Sequence, residues 1–114
     1  ELTDRYPSYV EWHETHAGTR GIWNPIDDLS YPEFEEIFEF VSTLTDHLKN
    51  GQSLVVHCAA GIGRAGTTGT ALLMMLGMNA TDALTHIREH RPMAGPEAGT
   101  QRKFIEDLAV HLGA

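Results

Sequence analysis

The sequence has one cysteine, few basic residues and no long hydrophobic run. One cysteine among 114 residues cannot form an internal disulfide, and no Cys/His cluster has the spacing of a zinc site. No stretch approaches the ~18 consecutive apolar residues of a transmembrane helix, so no association with a membrane is expected. With a single thiol, the protein is expected in a reducing, cytoplasmic compartment.

Acidic residues outnumber basic ones. Eight Lys and Arg residues against sixteen Asp and Glu residues give a formal net charge of −8. A field of that sign repels polyanions, so nucleic acid and acidic membrane surfaces are not expected partners. The composition, with 41% hydrophobic and 21% charged residues, is typical of a globular protein. The length predicts a single domain over residues 1–114.

Helical periodicity is clearest over residues 31–50. Ser30 and Glu33 have the spacing of a capping box, and Gly51 is placed to end the helix. Apolar residues recur there at i, i+3, i+4 and i+7, which predicts an amphipathic helix. These residues are Phe34, Ile37, Phe38, Val41, Leu44 and Leu48.

The remaining elements alternate between strand and helix. Ser53–His57 is a short β-branched run of the kind that is buried in a parallel sheet. Thr70–Leu76 is apolar on all sides, which predicts a central, buried helix. A third helix is predicted over Ala80–His90, and a fourth follows the loop marked by Pro92 and Gly95. The core-facing residues predicted for these two helices are Ala83, Leu84, Ile87, Phe104, Ile105, Leu108 and Leu112.

This alternation predicts an α/β fold with a central, mostly parallel sheet flanked by helices. Apart from Ser53–His57, only Gly21–Trp23 has a clear strand pattern, and two strands are few for a stable sheet. We therefore expect another strand near residues 1–5, or one that precedes Glu1. Residues 9–12 have a helical pattern.

The segment His57–Arg64 carries the chemistry. The strand delivers Cys58 to its carboxyl end, where α/β folds bind ligands, and a helix is predicted to open at Arg64. A tight turn there directs backbone N–H groups inward, and the helix N-terminus adds partial positive charge, so the loop can hold an anion. The expected phosphate ligands are the Arg64 guanidinium and the backbone amides of residues 59–64, which are Ala59, Ala60, Gly61, Ile62, Gly63 and Arg64.

The same field favours a thiolate, so Cys58 is expected to be a nucleophile at neutral pH. A nucleophilic sulfur and a phosphate site in one loop imply attack on phosphorus, with a thiophosphate intermediate. His57 is expected to order the cysteine backbone by hydrogen bonding. No metal or other cofactor is required, because the loop amides and Arg64 supply the positive charge.

With these motifs the sequence resembles the cysteine-dependent protein-tyrosine phosphatase superfamily, in its compact bacterial and archaeal dual-specificity-like branch. The resemblance runs from about Trp23 to Leu108. It is carried by the phosphate loop His57–Arg64, by an acid loop over residues 25–32, and by the late Arg91–Gln101 segment. It implies a phosphotyrosine protein phosphatase-like fold for the chain.

The family's acid loop reads Pro-x-x-Asp-x-x-x-Pro, and Asp28 with Pro32 falls on that register. The resemblance therefore implies that Asp28 is the general acid. Departure of a phenolate or alkoxide needs a proton donor, which a carboxylic acid on a loop can supply. Asp27 stands where relatives often have proline and stays a second candidate. Gln101 matches the late glutamine that helps to orient the hydrolytic water in many relatives.

The chain departs from the family at one position of the phosphate loop. Most members have Ser or Thr directly after the arginine, where the hydroxyl stabilises the leaving thiolate. This chain has Ala65. We expect either a slow second step or compensation by the hydroxyl of Thr67 or Thr68.

Other interpretations of the same residues are weaker. Gly61, Gly63 and Gly66 match the dinucleotide-binding fingerprint, but that requires a second strand about 20 residues later, where a helix is predicted. Arsenate reduction usually recruits further cysteines, which this chain lacks. Most of the histidines are interpreted as surface or packing residues rather than ligands. They are His13, His16, His47, His86, His90 and His111.

The sequence thus predicts hydrolysis of phosphomonoesters. Phosphotyrosine proteins are the favoured substrates, and phosphoserine, phosphothreonine and small phosphomonoesters are left open. Inositol lipids and RNA 5′-ends are disfavoured, because the loop has no lysine and the chain is acidic. The alternative, favoured by Ala65, is a pseudophosphatase that binds a phosphorylated partner with little turnover. The oligomeric state is not predicted.

Overall fold

The computed structural model describes residues 8, 11, 26, 31–58, 63–96 and 99–113. The helices that run through these ranges are α1 (Phe34–Lys49), α2 (Gly63–Met75), α3 (Ala80–His90) and α4 (Gly99–His111). The backbone is also helical at Ser8 and Glu11. Glu11 lies within the helix predicted over residues 9–12, whose other positions are outside the described residues.

Helix α1 begins at Phe34, so the start predicted at residue 31 is wrong. The N-cap is Glu33, which has an extended backbone with ψ 159° and makes no side-chain capping bond. In the predicted capping box Glu33 is the third residue of the helix, but here it is the N-cap, and Ser30 lies outside the described residues. Tyr31, predicted as the first helical residue, precedes the helix and is buried in the core. The predicted end is confirmed. Gly51 adopts φ +84°, and its N–H donates to the Leu48 carbonyl at 3.1 Å.

Helix α2 is the central helix, and it contacts each of the other three. Its buried positions include Ala71, Leu72 and Met74, which confirms the prediction of a buried central helix. Leu76 was predicted within this helix but lies beyond its end, where it is 47% exposed. The three remaining helices therefore surround the element that begins where the predicted phosphate loop ends.

Helix α3 has the predicted bounds. The Asn79 side chain caps it by accepting a hydrogen bond from the Asp82 N–H at 2.8 Å. On α4, Phe104, Ile105 and Leu108 are buried as predicted. The prediction for Leu112 is wrong, since this residue lies beyond α4 and is 40% exposed.

One hydrophobic core joins the helices. Tyr31 and residues from all four helices contribute to it, with α1, α2 and α4 supplying most of the buried side chains. The core residues are Tyr31, Ile37, Val41, Leu44, Ala71, Leu72, Met74, Ala83, Phe104, Ile105 and Leu108. Burial of these side chains is the main force that holds the helices together.

The predicted sheet is not confirmed in the described part of the chain. Residues 52–58 carry no strand assignment, and the Val55 side chain is 92% exposed, unlike a residue of a buried strand. A strand is defined by hydrogen bonds to a neighbouring strand. The segments predicted to supply neighbours, residues 1–5 and Gly21–Trp23, lie outside the described residues. Among the described residues, no helix has the length and apolar character needed to cross a membrane.

Candidate active site

The described structure reaches both ends of the predicted phosphate loop. Cys58 is half-buried at the end of the segment 52–58, and the preceding His57 is exposed. The loop residues Ala59, Ala60, Gly61 and Ile62 lie outside the described residues. On the far side, Gly63 is buried and opens α2.

Helix α2 presents a positive N-terminus to this loop. Its first turn contains no Asp or Glu, so no acidic side chain of that turn offsets the partial positive charge of the helix N-terminus. Arg64 lies in this first turn and is half-buried. The prediction that a helix opens at the arginine is therefore confirmed, and the arrangement suits an anion.

Arg64 links α2 to the predicted acid loop. Its Nη1 atom donates a hydrogen bond to the backbone carbonyl of Ile26 at 2.8 Å. Ile26 directly precedes Asp27 and Asp28, the two candidate acids, which themselves lie outside the described residues. The arginine expected to bind phosphate and the backbone next to the candidate acids are thus in direct contact.

Tyr31 holds the other side of the acid loop. Its hydroxyl lies 2.7 Å from the Thr68 Oγ1 atom, and both residues are buried. The Tyr31 ring also packs against Phe104 of α4, with ring centroids 4.9 Å apart. Burial raises the pKa of Tyr31 to about 12, and the hydrogen bond to Thr68 opposes that shift.

The two contacts fall on one face of α2. Arg64 and Thr68 are four residues apart, which places them one helical turn from each other on the same side. They hold Ile26 and Tyr31, which lie at the two ends of the six-residue segment 26–31. Both ends of the segment that contains the candidate acids are therefore attached to the helix that follows the predicted phosphate loop.

Sequence reasoning did not find the Tyr31–Thr68 pair. The two residues are 37 positions apart, and no local spacing connects them. In the sequence, Tyr31 is one position of the acid-loop motif over residues 25–32, and Thr68 is a candidate source of the hydroxyl missing at position 65. A buried tyrosine needs a partner for its hydroxyl, but the sequence does not say which residue provides it.

Gln101 is fully buried in the first turn of α4. It is three residues before Phe104 and so lies on the same side of α4 as the ring that packs against Tyr31. A glutamine is rarely buried to this extent without a structural or functional reason. Of the predicted supporting residues, Gln101 is thus the one that the structure encloses in the protein.

Gly66 serves close packing. A Cβ atom at this position would lie 2.2 Å from the Gly95 backbone nitrogen and 3.0 Å from the Gly95 Cα atom. The loop after α3 therefore crosses α2 at this glycine, with φ 70° at Met93 and φ 121° at Gly95. This contact accounts for the third glycine of the dinucleotide-like pattern without a nucleotide.

The hydroxyls near Ala65 are not equivalent. Thr68 is engaged by Tyr31, whereas the Thr67 Oγ1 atom is buried and has no hydrogen-bond partner among the described residues. Ala65 itself is half-buried. On a helix, Thr67 is about 200° around the axis from position 65, so its side chain lies on a different face of α2.

Comparison with known proteins decides the family. The sequence matches the family described as dual specificity phosphatase, catalytic domain, over residues 4–107. The chain belongs to this family. Its membership of the cysteine-dependent protein-tyrosine phosphatase superfamily, predicted from the motifs, is thereby confirmed.

Individual relatives agree with this assignment. The chain is 37% identical over 76 residues to dual specificity protein phosphatase 1 of Arabidopsis thaliana, an alignment that covers 66% of this chain and 36% of that protein. It is 30% identical over 113 residues to the "Probable rhodanese domain-containing dual specificity protein phosphatase" of Dictyostelium discoideum, with coverage of 98% and 22%. The chain therefore spans a minor part of the length of these two relatives.

A solved structure shares the fold. The crystal structure of Tk-PTP in the active form has 30% sequence identity and a TM-score of 0.74, covering 89% of this chain and 67% of that one. The chain therefore has a protein-tyrosine phosphatase-like fold. The parallel sheet predicted for it stays a prediction, since the described residues contain no strand.

Proposed function

We propose that this chain hydrolyses phosphomonoesters, with phosphotyrosine proteins as its main substrates, through a cysteinyl-phosphate intermediate. The observation that carries the proposal is the hydrogen bond from Arg64 Nη1 to the Ile26 carbonyl. It brings the phosphate-binding arginine of the family motif next to the backbone that leads into Asp27 and Asp28. Phosphate binding and proton donation would then act on the same ester.

In the proposed mechanism, phosphate is held by the backbone amides of residues 59–64, by the N-terminus of α2 and by the Arg64 side chain. The Cys58 thiolate attacks phosphorus in line with the leaving oxygen. An S–P bond forms as the P–O bond breaks, and Asp28 gives its proton to the departing oxygen. Water then attacks the thiophosphate, Asp28 takes a proton from it, and inorganic phosphate leaves as the thiolate is restored.

The described contacts support Asp28 as the general acid, because few residues separate it from two positions that contact α2. Asp28 is two residues from Ile26 and three from Tyr31, and both of these are attached to α2. Two residues of extended chain span about 7 Å, so the Asp28 backbone stays within about that distance of Ile26. Buried Gln101, on the helix that packs against Tyr31, is proposed as the residue that orients the hydrolytic water.

The primary test is an assay with an aryl phosphate in the presence of a chelator. Wild type is expected to turn over, whereas Cys58→Ser and Arg64→Ala lose activity by several orders of magnitude. Thr85→Val, an exposed change on α3, is the matched control and should keep full activity. Equal rates in wild type and Cys58→Ser, or loss of activity on chelation, would refute the proposal.

Leaving-group dependence identifies the acid. Asp28→Asn is expected to slow substrates with poor leaving groups, such as phenyl phosphate, far more than p-nitrophenyl phosphate, whose phenolate leaves without protonation. Asp27→Asn is the adjacent control and should not show this dependence. The opposite result would move the acid to Asp27.

A pseudophosphatase is the second candidate. Position 65 has no hydroxyl, and the Thr68 hydroxyl is engaged by Tyr31. A protein with this arrangement could form the thiophosphate and hold it, so that it recognises a phosphorylated partner with little turnover. Accumulation of labelled thiophosphate without steady release of phosphate would favour this function over hydrolysis.

The domain organisation, partners and location that we propose follow from this reaction. We infer that residues 1–114 act as one catalytic domain and that the partners are phosphorylated proteins or small phosphomonoesters rather than nucleic acid. A cytoplasmic location is proposed from the single thiol, which a reducing compartment keeps active.

A further inference from the structure

The last turn of α3 carries three side chains that are potential metal ligands. His86, Glu89 and His90 are all exposed, and one ligand atom from each lies within 4.8 Å of the other two. Their spacing of i, i+3 and i+4 places them on neighbouring positions of one helix face. From the sequence, the two histidines are interpreted as surface or packing residues rather than ligands.

His90 is oriented for coordination. Its Nδ1–H donates a hydrogen bond to the His86 carbonyl at 2.9 Å, because a carbonyl oxygen can only accept. In the neutral ring this leaves the lone pair on Nε2, and the ring cannot rotate freely while the bond holds. Metal-binding histidines are typically fixed in this way, with the second ring nitrogen bonded to a backbone carbonyl or carboxylate.

The two imidazoles already lie together. The ring centroids of His86 and His90 are 4.4 Å apart, with an interplanar angle of 38°. In a tetrahedral zinc site, ligand atoms at about 2.0–2.1 Å from the metal are about 3.4 Å from each other. The ligand atoms of the three side chains lie within 4.8 Å of one another, so metal binding would draw them together by up to about 1.4 Å.

The helix end and the net charge of the chain favour a cation, whereas the neighbouring Arg88 and Arg91 oppose it. The cluster lies at the C-terminal end of α3, where the helix dipole stabilises positive charge. The nearby Arg88 is directed elsewhere, since its Nε atom donates to the Ala94 carbonyl at 3.3 Å. The chain as a whole has a formal net charge of −8, which also attracts cations.

We propose that His86, Glu89 and His90 bind a divalent transition metal ion of the zinc type. Two imidazoles and one carboxylate are ligands that zinc, nickel and copper prefer over magnesium or calcium. The remaining coordination positions face solvent and would be taken by water or by a group from another molecule. The site lies on α3 and is independent of the proposed phosphatase reaction.

The test is a calorimetric titration of the folded protein with zinc chloride. It uses a Cys58→Ser background, so that the thiol cannot bind the metal. One equivalent of zinc is expected to bind. His86→Ala and His90→Ala should each weaken binding by roughly tenfold or more, and Glu89→Gln should weaken it less. Alanine is the best helix former, so these exposed changes keep α3 intact, which circular dichroism verifies.

His111→Ala is the matched control, because His111 is also an exposed histidine in the last turn of a helix. It should leave the zinc affinity unchanged. The proposal is overturned if no zinc binds at millimolar concentration, or if His86→Ala and His90→Ala bind zinc as tightly as the background protein. Nickel titrated in the same variants should follow the same order.

Discussion

The Tyr31 hydroxyl and the Thr68 Oγ1 atom lie 2.7 Å apart inside the protein. This bond joins the end of the acid-loop motif to the middle of α2, and the Tyr31 ring continues the contact onto Phe104 of α4. One side chain therefore ties the acid loop to two helices. Its contribution to stability and its titration behaviour can both be measured.

The first prediction concerns the energy of this pair. Tyr31→Phe leaves the Thr68 hydroxyl buried without a partner, and Thr68→Val does the same to Tyr31. Each single change is expected to lower the free energy of unfolding by about 1–3 kcal/mol. The double variant removes both polar groups, so its loss of unfolding free energy should be smaller than the sum of the losses in the two single variants. Urea unfolding of the four proteins gives the coupling energy.

Thr85→Val is the control for this cycle. Thr85 is an exposed helix residue whose hydroxyl donates to the Thr81 carbonyl at 3.0 Å. Combined with Tyr31→Phe, it should give additive free energies of unfolding. Additivity in the Tyr31–Thr68 cycle itself would show that the two hydroxyls do not stabilise each other.

The second prediction concerns alkaline pH. Burial raises the pKa of Tyr31 from 10.0 to about 12, so the folded protein keeps this proton over a range in which the unfolded chain loses it. Stability from this group is therefore complete below pH 10 and is lost as the pH rises toward 12. The loss by pH 12 is expected to be about 2 kcal/mol. It is measured as the difference in unfolding free energy between wild type and Tyr31→Phe.

Other groups titrate in the same range, but they are common to both proteins and cancel in this difference. Absorbance at 295 nm provides a second measurement. Tyr31 should form tyrosinate at higher pH than an ordinary tyrosine, and this late component should be missing from Tyr31→Phe. If the difference in unfolding free energy between wild type and Tyr31→Phe stayed constant from pH 9 to 12, the prediction would be contradicted.

The sequence predicted the helices better than the contacts between them. The bounds of α3 follow from local signals, since Asn79 caps it and Ala83 faces the core. The predicted start of α1 was wrong. The capping pattern at Ser30 and Glu33 is a local signal, whereas the burial of Tyr31 depends on contacts with Thr68 and Phe104. These residues are distant in the sequence, so the periodicity of residues 31–50 does not include their effect on where the helix begins.

The candidate site shows the same division. The arginine at the start of α2 could be predicted, because a glycine-rich turn before a helix is a local pattern with a clear chemical purpose. The hydrogen bond from this arginine to the Ile26 carbonyl could not be predicted, because the two residues are 38 positions apart in the sequence. The grouping of His86, Glu89 and His90 on one face of α3 follows from their i, i+3 and i+4 spacing, but an interpretation of each histidine by itself does not include it.

The third prediction tests the close contact between α2 and the loop after α3. In Gly66→Ala, the new Cβ atom would meet the Gly95 backbone at 2.2 Å, and backbone cannot move aside as a side chain can. We expect a loss of stability of about 3 kcal/mol or more, the upper range for overpacking. Thermal or urea unfolding measures it.

Gly69→Ala is the matched control on the same helix. Among the described residues, its Cβ atom would meet only the Ile87 Cδ1 atom, at 3.1 Å, and that flexible side chain can shift. Alanine also favours helix over glycine by about 1 kcal/mol, so this change should be close to neutral. If the two variants were equally stable, the close approach at Gly66 would not be a constraint on the fold.

The last prediction concerns the missing hydroxyl. The second chemical step is expected to be slow, because position 65 has no hydroxyl to donate to the leaving thiolate. Ala65→Ser should then speed phosphate release by about tenfold. This factor corresponds to the ~1.5 kcal/mol of a hydrogen bond to a charged group. Thr67→Val should leave the rate unchanged, because that hydroxyl lies on another face of α2. Rapid-quench kinetics with an aryl phosphate separate the burst from the steady rate.

Thr67→Val also has a stability readout. In the part of the chain that the structure describes, the buried Thr67 hydroxyl has no hydrogen-bond partner, so replacing it with a methyl group of similar size is expected to be neutral or to stabilise the fold by about 1 kcal/mol. The outcome that would reverse this argument is a slower second step in Thr67→Val with the burst intact. Thr67, and not an empty position 65, would then govern the release of the cysteine, because only a hydroxyl that reaches the thiolate could affect that step alone.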